Sequence, residues 1–216
     1  MNKVTKNIAA SIRQKLKNRA SQDKRPFAEL LQYYSMERFL YRLSQSDYSQ
    51  QFILKGAMML RVWKSPEIRP TMDIDMLGVI DNEVDSICTQ VSKIMKIEFD
   101  DGILFDASTI TGERIKENAD YEGVRVKFLG RLENARVFMQ IDIGFGDIVH
   151  PAPVQTKLPV ILDLPSPNLL CYSRESVVAE KFETMLKLGE LNSRMKDFYD
   201  IWLLSHQFDF EGEKLM

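Results

Sequence analysis

The stretch TMDIDMLGVI, residues 71–80, reads as a strand that carries two acids, Asp73 and Asp75. On a strand, residues i and i+2 share a face. The two acids therefore aim two negative charges at one place, and like charges so placed repel unless something compensates them. A second strand, ARVFMQIDIGF at residues 135–145, carries a third acid. In it Val137, Met139, Ile141 and Ile143 alternate with Phe138, Gln140 and Asp142, so Asp142 points away from the apolar face. Three carboxylates on two strands can converge. Hard divalent cations take oxygen ligands of this kind, and Mg2+ binds through one or two carboxylates plus substrate phosphates. Two such ions can clamp the attacking and leaving oxygens of an in-line phosphoryl displacement. Asp73, Asp75 and Asp142 are thus the candidate metal ligands, for Mg2+ first (two ions) and Mn2+ second. The plainer reading is a strand edge with solvated acids.

The flanking sequence orders the rest of the chain. Val4, Ile8, Ile12 and Leu16 recur every four residues and predict a helix over 3–20. A second helix is expected over 26–45, opened by Pro26. QFILKG then reads as a short buried strand, AMMLRVW as a short helix after Gly56, and SPEIRP as a loop. Backbone N–H groups at such a strand-to-helix turn can hold a phosphate. A helix over 83–96 follows, then the strands ILFDASTI, GVRVKFLG and the strand of Asp142. The stretch HPAPVQTKLPVILDLPSP, with five prolines, reads as an extended connector around one short strand. Helices are expected over 174–189, capped at Ser173, and over 194–206. The order of helices, mixed sheet and helices predicts an α+β fold. Its expected parts are an N-terminal helical segment (1–50), a core (51–165) and a C-terminal helical part (166–216).

Composition excludes several classes. The 216 residues carry a formal net charge of -2, which does not suit a chain basic throughout. Residues 1–20 nevertheless hold Lys3, Lys6, Arg13, Lys15, Lys17 and Arg19 with no acid, a face that could meet RNA phosphates. Two distant cysteines and two unpaired histidines offer neither a disulfide framework nor a zinc site, which fits a cytoplasmic protein. No apolar run approaches the roughly 20 residues of a membrane span. On the last helix Asp197 and Asp200 share a face opposite Met195, Phe198 and Trp202. That acidic face meets either water or a cleft. Lys181, on the helix before, is either a lysine reaching solvent or a fixed charge for a triphosphate.

Four blocks taken together, LKGAMMLRVWKSPEIRPTMDIDM, MQIDIGFGD, SRESVVAEKFETML and NSRMKDFYDIWLL, resemble the AbiEii/AbiGii toxin family. That family is similar in its core to the polymerase-β-type nucleotidyltransferases. The resemblance implies a nucleotidyltransferase-like mixed sheet flanked by helices, and a metal-dependent enzyme that moves NMP from a nucleoside triphosphate to an acceptor hydroxyl, tRNA among the acceptors. It implies a toxin of a bacterial toxin–antitoxin pair tied to phage defence, with a cognate antitoxin as partner. By the same resemblance Gly56 and Ala57 would form the nucleotide-holding turn, Asp73 and Asp75 the metal-binding pair, and Asp142 a further ligand or a base. Lys181 would contact the triphosphate. Asp197 would be another catalytic acid, with Arg194 and Lys196 beside it, and Asp200 would orient the helix. Ala57 stands where the superfamily carries a serine. Relatives also continue with more helix beyond the position of Met216. A nucleotide- or partner-binding module without turnover, and a kinase-like phosphotransferase, are the competing readings.

Overall fold

The computed structural model describes residues 7–63, 65, 71–118 and 121–212. Lys3, Lys6 and most of the SPEIRP loop lie outside them. Within them, two helices, α1 (Ile8–Gln22) and α2 (Phe27–Ser44), precede a strand β1 (Phe52–Lys55) and a short helix α3 (Met58–Val62). Then come β2 (Ile74–Gly78), α4 (Val84–Met95), the long strands β3 (Leu104–Asn118), β4 (Tyr121–Leu132) and β5 (Ala135–Phe145), and the short strands β6 (Val154–Lys157) and β7 (Asn168–Cys171). Two helices close the order, α5 (Arg174–Leu188) and α6 (Met195–Gln207). The strands form one seven-stranded mixed sheet, ordered β3-β4-β5-β2-β1-β7-β6. This is the expected α+β architecture, a nucleotidyltransferase-like sheet flanked by helices.

Two differences from the sequence reading matter. Strand β2 begins at Ile74, so Asp73 stands in the bend before it rather than on it. Strand β7, parallel to β1, opens the part expected to be helical (166–216), just before its first expected helix at 174. Four residues with no polar alternation give too short a pattern to distinguish from the start of the next helix.

The period-2 alternation divides the sheet into two faces. One face carries Leu54, Met76, Val124, Val126, Met139, Ile141 and Ile143, all buried against α1, α2 and α4 in the main core. The opposite face is divided again. Over β1 and β2 it carries Ile53 and Leu77, which pack with Val177 of α5 and Leu203 and Leu204 of α6 in a second cluster. Over β3, β4 and β5 no described residue covers that face, and Lys127, Arg131, Arg136 and Phe138 are all exposed. The acids lie at the boundary between the covered and open parts.

Helix α2 is buried around most of its circumference, charges included. Arg42 forks onto Asp101 at 2.6 and 3.0 Å. Arg38 donates to the Pro165 carbonyl at 2.9 Å and pairs with Glu37 at 2.7 Å, and Glu37 accepts from the Ile161 amide at 2.7 Å. These bonds bind the proline-rich connector to the core. Burial pushes the Glu37 carboxyl up to about 7, against the opposing pull of Arg38 and the Ile161 amide. The folded chain then binds a proton that the unfolded chain releases near its ordinary value of about 4.3. The stability from this group is greatest below that value and is lost as pH rises through about 7. Urea titrations at mildly acid and mildly alkaline pH should show the wild type losing stability against Glu37→Gln as pH rises. A difference that does not change with pH would count against this account. Among the described residues no helix is long and apolar enough to cross a membrane.

Candidate active site

The sheet register assembles one charged row. Lys55 faces Asp75, Asp75 faces Asp142, Asp142 faces Arg125, and Arg125 faces Glu113. Residues paired across strands project to the same face, so two acids at the centre are flanked by a cation on either side. That is the compensation the sequence left open. Arg125 donates to Asp142 through Nε at 2.8 Å and Nη2 at 2.7 Å, and Gln140 adds a bond to Asp142 Oδ2 at 3.2 Å. The Arg125 guanidinium is held above its ordinary value chiefly by the bond to Asp142. Asp73 enters from the bend before β2, where the Thr71 hydroxyl donates to its Oδ1 at 2.6 Å. One carboxylate oxygen from each of Asp73, Asp75 and Asp142 lies within 4.8 Å of the others. Oxygen donors at Mg2+ distances of about 2.0–2.1 Å are at most about 4.2 Å apart. Cis pairs are about 2.9 Å apart, so the three carboxylates are near enough to share a divalent ion once their side chains draw together, and their chemistry suits a hard cation.

Gly56 closes one side. It takes φ +70, and a Cβ there would lie 2.0 Å from Asp75 Oδ2. Its lack of a side chain is what lets the β1–α3 turn pass against the Asp75 carboxylate.

Helices α5 and α6 form the other wall. Ser173 caps α5 by accepting from the Ser176 amide at 3.0 Å. Lys181 does not reach out to solvent: its Nζ is 2.9 Å from Asp197 and 2.9 Å from Asp200. Arg194 adds a contact to Asp197 at 2.9 Å. Both acids are buried, at 3% and 1% exposure. The face of α6 that carries them therefore meets a cleft, while the apolar Met195, Phe198 and Trp202 are the exposed ones. The cleft has a volume of about 870 Å³ and is lined by Gly56, Ala57, Asp73, Asp75, Asp142, Lys181, Arg194, Lys196 and Asp197 among others. Asp200 is not among its lining residues, and it pairs with Lys181 from behind.

Among the lining residues that escaped the sequence reading, the charged or hydrogen-bonding ones beside the acids are Lys55, Thr71, Arg125 and Glu180. Lys55 is 4% exposed, and its Nζ contacts Glu180 at 2.7 Å and Asp147 at 3.2 Å. A lysine within the apolar run FILK was the signal for it. Arg125 was legible only through the β4–β5 hairpin. With Glu133 and Asn134 as its loop, Leu132 faces Ala135 and Arg125 must then face Asp142.

No curated protein matches the chain. Among solved structures, JHP933 from Helicobacter pylori aligns over 79% of this chain and 63% of its own, with 12% identity and a TM-score of 0.48. A candidate nucleotidyltransferase from H. pylori aligns over 79% and 65%, with 13% identity and a TM-score of 0.49. The chain thus spans less than two thirds of either protein. A family model described as nucleotidyl transferase AbiEii toxin, type IV toxin–antitoxin system, matches residues 38–216, from the middle of α2 through the carboxylate row to the cleft wall of α5 and α6. With that match over most of its length, the chain belongs to the AbiEii nucleotidyltransferase toxin family.

Proposed function

We propose that the chain transfers a nucleoside monophosphate from a nucleoside triphosphate to an acceptor hydroxyl, with tRNA among the acceptors, as the toxin of a cytoplasmic toxin–antitoxin pair in phage defence. The observation that carries this reading is the convergence of Asp73, Asp75 and Asp142 within 4.8 Å in a cleft large enough for a nucleotide. Family membership supports it. In this reading residues 51–165 are the catalytic core, residues 1–50 support it, and residues 166–216 close the cleft.

Asp73, Asp75 and Asp142 would hold Mg2+, or Mn2+, which supplies charge neutralisation at the transferring phosphoryl group. The chain's own part is positioning and preorganised charge. The Gly56–Ala57 turn and Lys181 receive the triphosphate. Asp197 and Asp200 hold Lys181 in place, and Arg194 holds Asp197. Arg125 and Gln140 fix Asp142. Their three bonds occupy both lone pairs of Oδ2 and one of Oδ1, which leaves Asp142 one acceptor position toward the other acids. That favours Asp142 as a single-point ligand over a base.

The test uses each of the four nucleoside triphosphates, labelled at the α- or the γ-phosphate, with Mg2+ and total bacterial tRNA. Transfer of α-label to RNA is expected. Transfer of γ-label alone would make the chain a phosphotransferase. Nucleotide-dependent thermal stabilisation with no product would make it a binding module. Gly56→Ala should weaken binding of a Mn2+ probe at least tenfold in a calorimetric titration, because the new methyl must displace the Asp75 carboxylate. Unchanged Mn2+ binding would remove Gly56 from the site.

A further inference from the structure

We propose that the open face of β3, β4 and β5 is the docking floor for the acceptor, and that the acceptor presents a single-stranded nucleic-acid end. The inference rests on the nucleotidyl-transfer reading and adds direction to it. In an in-line displacement the attacking hydroxyl and the departing pyrophosphate stand on opposite sides of the phosphorus. In that reading the triphosphate lies between the Gly56 turn and Lys181, at the β1 end of the charged row. The acceptor must then arrive from the other end, across β5 and β4.

The composition of that floor suits one kind of molecule. Arg125, Lys127 and Arg131 alternate with core residues along β4, and Arg136 on β5 faces Arg131. Between these cations stands Phe138, facing Leu129 and 76% exposed. It lies on the same side of β5 as Asp142, with Gln140 between them. Cations spaced along a sheet with a bare aromatic ring among them match a polyanion that also offers flat bases to stack on. Leu104, facing Arg131 and 73% exposed, is the other bare apolar residue of the floor, and two separated apolar side chains among cations do not make the contiguous apolar centre of a protein interface. A duplex would keep its bases stacked on one another. The acids nearby do not cancel the charge: Glu113 pairs with Lys127 at 2.7 Å and Asp106 with Arg131 at 3.4 Å, but all four side chains are substantially exposed. Exposed pairs of this kind are weak and can yield to phosphates.

The test is fluorescence anisotropy on the full chain with a labelled single-stranded RNA of roughly 12 nucleotides, the DNA of the same sequence, and a blunt duplex, at about 50 and 200 mM salt. Either single strand should bind more tightly than the duplex, and comparing the two reports the sugar preference. Phe138→Ala should weaken single-strand binding about tenfold while Phe138→Trp keeps it. Lys127→Gln/Arg131→Gln should flatten the salt dependence by about 1.4 in the log–log slope. These positions are exposed, so the variants should melt with the wild type and keep its thermal response to nucleotide. Single-strand affinity unaffected by Phe138→Ala, or a duplex bound equally well, overturns the proposal. Label transfer to an acceptor without single-strand binding would sink the docking floor and leave nucleotidyl transfer standing. Phe138-dependent binding without any transfer would support the floor and sink the enzyme.

Discussion

Asp75→Asn should lower nucleotidyl transfer by about a thousandfold or more, on the order of 4 kcal/mol in the transition state, and leave the melting temperature nearly unchanged. The two outcomes follow from one arrangement. Asp75 sits between Lys55 and Asp142 in the row, and Asp73 approaches from the bend before the strand. Without a divalent ion the acids repel each other while Lys55 and Arg125 attract them, so removing one charge takes away both effects and changes the folded chain little. In the proposed site each acid is a ligand of the ion, and asparagine keeps the shape while losing the charge. Asp73→Asn should behave alike, with a smaller change in melting because the Thr71 hydroxyl can still bond its amide oxygen. Asp23→Asn, at the end of α1, is the control and should do nothing to transfer. The measurement is label transfer beside Mn2+ titration and thermal melting. An Asp75→Asn protein that binds Mn2+ and transfers at the wild-type rate would place the chemistry elsewhere in the cleft.

How much of this was legible in advance depended on whether a residue announced its partner locally. The alternation in ARVFMQIDIGF placed Asp142 on the face opposite Met139 and Ile141, where it lies. The Ser173 cap and the helix boundaries after it followed from short-range chemistry. Asp73 and Asp75 converge with Asp142 although only Asp75 is on the strand, since a bend can deliver a carboxylate as well as a pleat can. What stayed hidden depended on register or on burial. Arg125 looks like any outward residue of β4 until the hairpin sets it against Asp142. The α6 helix was misleading in another way. Three of its apolar residues, Met195, Phe198 and Trp202, are exposed, while its acids Asp197 and Asp200 are buried on the side that continues into Leu203 and Leu204. Periodicity locates two faces of a helix but does not say which is covered when the covering element offers a lysine. Nor could a stripe analysis of α2 foresee Glu37, Arg38 and Arg42 inside the core, because their partners come from the distant Asp101 and the 161–165 connector.

Lys181→Met should have two effects that can be separated. Lys181 is 12% exposed at its side chain and joins two acids of α6 that are themselves buried. Removing one partner from a buried ion-pair network costs about 3 kcal/mol, which in a chain of this size lowers the melting temperature by roughly 6–12 °C. Transfer should fall as well, by about a hundredfold, if Lys181 also meets the triphosphate as proposed. The second substitution that separates these effects is Asp200→Asn. Asp200 lies behind Lys181 and does not line the cleft, so the double variant removes one surplus negative charge without touching the nucleotide's side. Non-additive recovery of stability is expected, because residues in one network couple by about 0.5–3 kcal/mol. Transfer should not recover with it, and the loss should appear as a raised KM for the nucleotide. If activity returns together with stability, Lys181 is a strut that docks α6 against α5, and the cation for the triphosphate must be sought elsewhere, first at Arg194 or Lys196, which line the same cleft.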